Sequence, residues 1–206
     1  IESFKEVSQN PINMISHNHY IKIIYVGTLS EISRNTLLML DVMDDVLSSN
    51  SNVKFILGGN ISEDEVRKKV ELMKSNHSNF EYRGVMRHSE VIAETLNSDI
   101  GLYFAKDTDN NFRSSPNKVY EYMLAGIALV GMGNFMHYKE IDNNAGKVFE
   151  YSASKYKIID FVQSLINNAE KLNEFKINAK KLGIKYSWES VEDRYIDLYE
   201  EIAKIL

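Results

Sequence analysis

The chain has 206 residues, of which 44% are hydrophobic and 26% are charged, and its formal net charge is −5. This length and composition predict one globular domain with a full core. The negative charge argues against a nucleic-acid-binding surface, and the lack of cysteine excludes disulfides and thiolate metal sites. No apolar run approaches the roughly 20 residues of a membrane-spanning helix.

Residues 1–20 are polar and aperiodic, and we interpret them as a linker that arrives from a preceding region. Because the chain begins with Ile1 rather than Met, we expect it to be either a domain cut out of a longer protein or a processed chain. His17 and His19 lie two residues apart, but no further ligand residues accompany them. The sequence therefore predicts a solvated linker here rather than a metal site.

From residue 21 onward, short apolar runs alternate with segments of helical periodicity. The runs that predict strands are 20–26, 53–57, 80–83, 100–104, 128–130 and 147–151. The segments that predict helices are 36–47, 62–73 (with a capping box of Ser62 and Glu65), 89–96, 115–125, 135–141, 156–169, 172–182 and 187–206. This alternation predicts an α/β fold, a doubly wound parallel sheet of about six strands with helices on both faces.

Glycine follows most of these strands, which lets a backbone approach a ligand closely. In such sheets ligands bind outside the carboxyl ends of the strands. The segments predicted to meet at that edge are 27–35, 58–59, 84–87, 105–115 and 131–133.

The stretch 114–132, SSPNKVYEYMLAGIALVGM, contains the clearest candidates for a ligand-binding site. Ser115 can cap the helix, Pro116 suits its first position and Gly126 ends it. A helix N-terminus next to a polar loop is a ready site for an anion. Lys118 adds a cation and Glu121 adds an acceptor for a sugar hydroxyl, although an ordinary loop–helix–strand connection explains the pattern equally well.

Seven segments, in order, resemble the C-terminal, nucleotide-sugar-binding domain of the retaining "group 1" family of GT-B-fold glycosyltransferases. The segments are YVGTL, FILGG, FEYRGVMRHSEV, NSDIGLYF, SSPNKVYEYMLAGIALVG, NNAGKVFEYS and YSWESVEDRYIDLYEEI. The fifth resembles the family's E-A-M-A-x-G-x-P-V-V stretch in the variant S-P-x-K-x-x-E-Y. The resemblance covers the chain from about Ile23 to the end and divides it into a linker (1–20) and a donor-binding domain (21–206).

The resemblance implies transfer of a hexose from a UDP- or GDP-sugar to a saccharide or lipid-linked acceptor, in polysaccharide or glycoconjugate synthesis. The acceptor would bind through an N-terminal domain absent from this chain, so we expect the chain to bind nucleotide but to transfer no sugar alone. No cofactor, metal or nucleic acid is expected. The expected location is the cytoplasm, with peripheral association of the whole protein at the inner face of the membrane.

The resemblance also assigns residues to this site. Arg34 and Lys118 would stabilise the charge that builds on the departing diphosphate, and Glu121 would accept from the ribose hydroxyls. Main-chain groups of Val85 and Met86 would contact the base. The remaining predicted donor contacts are Gly27, Thr28, Gly59, Arg113, Ser115, Pro116 and Asn117.

Two positions depart from the family pattern. Thr28 stands where the family often has an arginine directly after the first glycine, and Arg113 stands where it has a glutamate that contacts the donor sugar. Arg113, Lys106 and Lys118 are the candidates to replace the missing cation. These departures keep open two alternatives, an enzyme similar to nucleotide-sugar 2-epimerases and a non-catalytic nucleotide-binding or scaffold module.

Three further groups complete the predictions. His137 and Glu140 lie near the region where the family contacts the donor sugar. The segment 105–114, rich in Asp and Asn, lacks the calcium-loop pattern and is interpreted as a mobile lid. Trp188 and the tyrosines that follow it recur at helical spacing, so we expect them to face the core.

Overall fold

A six-stranded parallel sheet is the centre of the computed structural model, which describes residues 11–15 and 20–204. The strands lie in the order β3-β2-β1-β4-β5-β6. Strands β2 and β3 are therefore added on one side of β1 and strands β4 to β6 on the other, so the order switches between β1 and β4. This confirms the predicted doubly wound α/β fold. The strands β1 to β6 are Ile21–Val26, Val53–Gly58, Phe80–Tyr82, Ile100–Phe104, Ala128–Met132 and Gly146–Phe149.

Helices cover both faces of this sheet. In β1, Ile23 and Tyr25 join one apolar cluster and Ile24 and Val26 join the other, as expected of a strand that is buried on both sides. Within the described ranges no helix is both long and apolar enough to span a bilayer. The helices α1 to α9 are Thr36–Ser49, Asp64–Asn76, His88–Leu96, Asp109–Phe112, Asn117–Ala125, Tyr138–Ile141, Lys155–Ile166, Ala169–Lys185 and Trp188–Ala203.

The predicted capping box of Ser62 and Glu65 is wrong. The helix α2 begins at Asp64, its N-cap is Glu63, and no side chain caps it. The Glu63 carboxylate instead accepts hydrogen bonds from Ser30 Oγ at 2.9 Å and from the backbone N of Glu31 at 3.2 Å. The sequence pattern misses this because the partners lie more than thirty residues away, in the loop after β1.

The prediction that the last helix buries its apolar face is also wrong. None of the residues of α9 is buried: Trp188 is 49% exposed and Tyr199 is 71% exposed. Ser187 stands at the N-cap but makes no side-chain capping bond. Helical spacing shows only that one face of a helix is apolar; it does not show that another element buries that face. Residues 205–206, which the sequence also assigns to this helix, lie outside the described residues.

Part of the predicted linker packs against the domain. Ile15 is buried, and its backbone N and O both bond the Asn173 side chain of α8, at 2.7 and 2.8 Å. The remainder of residues 1–20, including His17 and His19, lies outside the described residues, apart from 11–14 and Tyr20. Residues 11–15 are thus held on the domain, and the assignment of 1–20 as a linker stays a prediction.

Candidate functional site

An open pocket of about 730 Å³ lies at the carboxyl ends of β1 and β4, where the chain reverses its direction across the sheet. In doubly wound sheets this switch point is the usual place for a ligand. Eight of the predicted site residues line it. The complete lining is Tyr25, Gly27, Thr28, Arg34, Tyr103, Ser115, Pro116, Asn117, Lys118 and Glu121.

The N-terminus of α5 forms one wall of this pocket. Pro116 takes the N-cap position and the helix begins at Asn117, one residue later than the sequence predicts. Ser115 does not cap the helix, since its hydroxyl donates to Tyr120 Oη at 2.9 Å. Gly126 ends the helix in the left-handed region, as predicted. The first backbone N–H groups of a helix lack intrahelical acceptors, so this wall offers donors and a positive dipole end.

Lys118 places its ammonium group beside the turn that follows β1. A Cβ added to Gly27 would lie 3.1 Å from Lys118 Cε, and Nζ lies 5.5 Å from the ring centroid of Tyr25 and 5.9 Å from that of Tyr122. Burial lowers the pKa of Lys118, and the nearby Glu121 carboxylate opposes that shift. Among the described residues its ammonium makes no hydrogen bond or ion pair, which leaves it available to an anion.

Arg34 forms the opposite wall and is held by the loop after β4. Its Nη1 donates to Ser33 O at 2.8 Å and to Asn111 Oδ1 at 3.0 Å, and its guanidinium lies 5.4 Å from the ring centroid of Tyr103. Two cationic groups, Arg34 and Lys118, therefore border one pocket. Burial is the main cause of the lowered pKa of Lys118, and the positive charge of Arg34 adds to it.

Asn111 joins the loops that follow β1 and β4. Its side-chain amide is buried and donates to Ser33 O at 2.8 Å and to Lys106 O at 2.9 Å, while its Oδ1 accepts from Arg34. The segment that the sequence suggests as a mobile lid is thus tied down at this residue and contains the short helix α4. In the ranges 11–15 and 20–204 no group of three His, Cys, Asp or Glu residues could hold a metal ion.

Glu121 lies one turn into α5 and lines two pockets. One is the pocket described above, and the other is a smaller apolar pocket of about 290 Å³ between α5 and α3, to which His88 also contributes. His88 is the first residue of α3, one residue before the start that the sequence predicts. An acceptor that faces two neighbouring pockets can bond a ligand that spans them.

The remaining predicted residues lie outside the main pocket. Val85 and Met86 line a separate open pocket of about 700 Å³ next to α3. Gly59 supports the turn after β1: it has a φ of +132°, and a Cβ there would lie 1.7 Å from Gly27 O. Arg113 is exposed and is not part of the pocket lining.

The structure also separates the three candidates for the missing cation. Lys106 Nζ pairs with the Glu31 carboxylate at 2.5 Å, and Arg113 lies outside the lining. Lys118 is the candidate next to the Gly27–Thr28 turn.

His137 and Glu140 are engaged away from the pocket. The His137 ring stacks on Tyr186 at 4.1 Å, and the Glu140 carboxylate pairs with Lys185 Nζ at 2.7 Å. That lysine, with Tyr186 and His137, lowers the pKa of the exposed Glu140 to about 2. Both residues connect α6 to the end of α8, and neither lines the main pocket.

Sequence reasoning missed three residues of the site, namely Tyr25, Tyr103 and Asn111. The two tyrosines stand near the carboxyl ends of otherwise aliphatic strands, and this placement was the available signal. Asn111 had no comparable signal, because it lies within a run of similar polar residues.

Comparison with family models finds no match, and neither does a search of curated proteins. Solved structures do match. The S. aureus TarM mutant in complex with fondaparinux, alpha-GlcNAc-glycerol and UDP is 18% identical, with a TM-score of 0.69, over 92% of this chain and 38% of that one. The pneumococcal O-GlcNAc transferase GtfA in complex with UDP and GlcNAc is 12% identical, with a TM-score of 0.72, over 93% of this chain and 38% of that one.

A third match has a length similar to this chain. The C-terminal domain of the glycosyl transferase group 1 family protein LpcC from Francisella tularensis is 14% identical, with a TM-score of 0.67, over 82% of this chain and 86% of that one. The chain spans well under half the length of TarM and GtfA. At these identities the likeness concerns the fold, and the fold of this chain is that of a GT-B glycosyltransferase domain.

Proposed function

We propose that the chain binds a nucleoside diphosphate sugar and serves as the donor-binding part of a retaining hexosyltransferase. One observation carries the proposal: Arg34, Lys118 and the N-terminus of α5 border the pocket that Glu121 also lines. Cations and helix-end N–H groups suit a diphosphate, and a carboxylate suits ribose hydroxyls. The acceptor is a saccharide or a lipid-linked glycan, and its binding needs a further domain.

The fold neighbours support this proposal. TarM and GtfA are both described in complex with UDP, and GtfA also with GlcNAc. Both are more than twice as long as this chain, which agrees with the inference that a second domain completes the enzyme. The chain alone is therefore proposed to bind nucleotide without transferring sugar.

In this proposal Lys118 replaces the arginine that the family often places at the position of Thr28. It stabilises the negative charge that develops on the leaving diphosphate, together with Arg34. Val85 and Met86, in the neighbouring pocket, remain the proposed contacts of the base, because Glu121 would bring the ribose toward α3.

Titration calorimetry with UDP, GDP and ADP tests the proposal. Glu121→Ala and Arg34→Ala should each weaken the binding of the preferred nucleotide at least tenfold, about 1.4 kcal/mol, because each removes a charge-assisted contact. Glu174→Ala and Arg194→Ala, which change exposed residues away from the pocket, serve as matched controls. Unchanged affinity in both pocket variants would remove the site assignment.

A further inference from the structure

Tyr103 combines deep burial with an unused hydroxyl. It lies near the carboxyl end of β4 and is 2% exposed. Its Oη is the one buried side-chain N or O atom in residues 11–15 and 20–204 that has no hydrogen-bond partner. Buried polar groups are nearly always paired, so this exception calls for an explanation.

Within residues 11–15 and 20–204, the surroundings of Tyr103 provide no hydrogen-bond partner for its hydroxyl. The Phe135 ring packs edge-on against it with the ring centroids 5.1 Å apart. The other tyrosine of the pocket, Tyr25, uses its hydroxyl to donate to Thr28 O at 2.9 Å. A phenylalanine at position 103 would fill the same apolar space without burying an unpaired hydroxyl.

Two features connect Tyr103 to the ligand pocket. Its side chain lines the pocket, and the guanidinium of Arg34 lies over its ring. The Arg34 guanidinium donates to neutral acceptors, Ser33 O and Asn111 Oδ1, so its positive charge is not neutralised by these bonds. An anion that pairs with this guanidinium would lie beside the ring that carries the unpaired hydroxyl.

We propose that the Tyr103 hydroxyl donates a hydrogen bond to an anionic oxygen of the diphosphate, the oxygen that Arg34 also neutralises. The inference rests on the proposed nucleotide binding and adds a residue that the sequence did not single out. A phosphate oxygen is favoured over a sugar hydroxyl because the neighbouring guanidinium attracts negative charge, and hydrogen bonds to ionised acceptors are the stronger ones.

The test compares Tyr103→Phe with Tyr122→Phe. Tyr122 is buried in the same apolar cluster, but its hydroxyl already donates to Ile24 O and its side chain is not part of the pocket lining. Calorimetry with UDP should give about tenfold weaker binding for Tyr103→Phe, the loss typical of one charge-assisted hydrogen bond. The Tyr122→Phe variant should keep the affinity of the wild-type chain.

Two further measurements separate a ligand contact from a packing role. Binding of uridine, followed by ligand-observed NMR, should be the same in Tyr103→Phe as in the wild type, because uridine has no diphosphate. Without nucleotide, Tyr103→Phe should melt at the same or a higher temperature, since it removes an unpaired hydroxyl. Tyr122→Phe should melt at a lower temperature, since it removes a bond that is made.

Three results would overturn the inference. The first is an unchanged UDP affinity in Tyr103→Phe while the wild type binds UDP, which leaves the proposed function standing. The second is an equal loss for uridine and UDP, or a lower melting temperature without nucleotide, either of which indicates packing. The third is a wild-type chain that binds none of the three nucleotides, which removes the proposed function as well.

Discussion

The helices α5 and α9 both carry apolar residues at helical spacing, yet they differ completely in burial. Five residues of α5 are buried, and none of α9 is. The difference follows from connectivity. Because α5 links β4 to the adjacent parallel strand β5, it must run back across the sheet and bury its apolar face there. In contrast, α9 follows α8 and leads to no strand in the described part of the chain.

The comparison shows what a hydrophobic pattern can and cannot predict. A period of 3.6 residues identifies an amphipathic helix but not the surface that it covers. Alternation of the helix with strands adds that information for α5. The following three changes test this contrast, beginning with the largest expected effect.

Truncating one apolar side chain in each helix should give very different results. Met123→Ala in α5 should lower the free energy of unfolding by about 2–5 kcal/mol, because Met123 is 1% exposed and its removal leaves a cavity. Leu198→Ala in α9 should change it by less than about 0.5 kcal/mol, because Leu198 is 51% exposed. Urea unfolding measures both values, and similar losses would show that α9 is packed as tightly as α5.

Substitutions in the strands test how closely α5 packs against the sheet. A Cβ added to Gly101 of β4 would lie 2.4 Å from Tyr122 Cδ2, so Gly101→Ala should cost about 1–3 kcal/mol by overpacking. Gly131→Ala in the adjacent β5 is the matched control, since the nearest atom to its Cβ would be 3.6 Å away. Thermal unfolding that gives the same stability for both variants would contradict the close packing of Tyr122.

The smallest expected effect concerns the pocket end of α5. Lys118→Met should raise the melting temperature slightly at pH 7 while it weakens UDP binding, because burial disfavours the charged ammonium in the folded state. The folded-state pKa lies below that of the unfolded chain, so the charging cost is present at pH 7. It disappears as the pH rises from the lowered pKa toward the ordinary lysine value of about 10.4.

Melting curves at pH 7 and pH 10 provide the measurement for Lys118→Met. The difference in melting temperature between Lys118→Met and the wild type should be smaller at pH 10 than at pH 7. Lys204→Met, which changes an exposed lysine just after α9, is the control and should show no such pH dependence. A variant that is less stable than the wild type at pH 7 would show that the ammonium group is stabilising where it lies.

Most of the fold could be predicted because its signals are local. All six strands are short apolar runs, and glycines such as Gly27 and Gly84 follow several of them. The rule for the carboxyl edge of parallel strands then brings Arg34, Lys118 and Glu121 together, and the structure places all three in one pocket lining.

What could not be predicted depends on contacts between distant segments. Glu63 binds the loop after β1 and takes the N-cap position of α2 that the pattern assigns to Ser62. Asn111 looks like its polar neighbours in the sequence, although its amide is buried. The sequence could not predict that the Tyr103 hydroxyl lacks a hydrogen-bond partner, because this depends on the positions of its neighbours in the fold. Tyrosine and phenylalanine fit a strand equally well, so the residue type alone gave no signal.

The position of Asn111 has a consequence for binding thermodynamics. The Asn111 amide joins the loop after β1 to the loop after β4. Because these bonds form when the chain folds, the two loops that border the pocket are already held together before a ligand binds. We therefore expect a ligand that binds there to lose less binding energy to the ordering of these loops than it would without these bonds. If the chain binds a nucleotide as proposed, a substitution that removes the Asn111 amide should weaken that binding although the residues that line the pocket are unchanged.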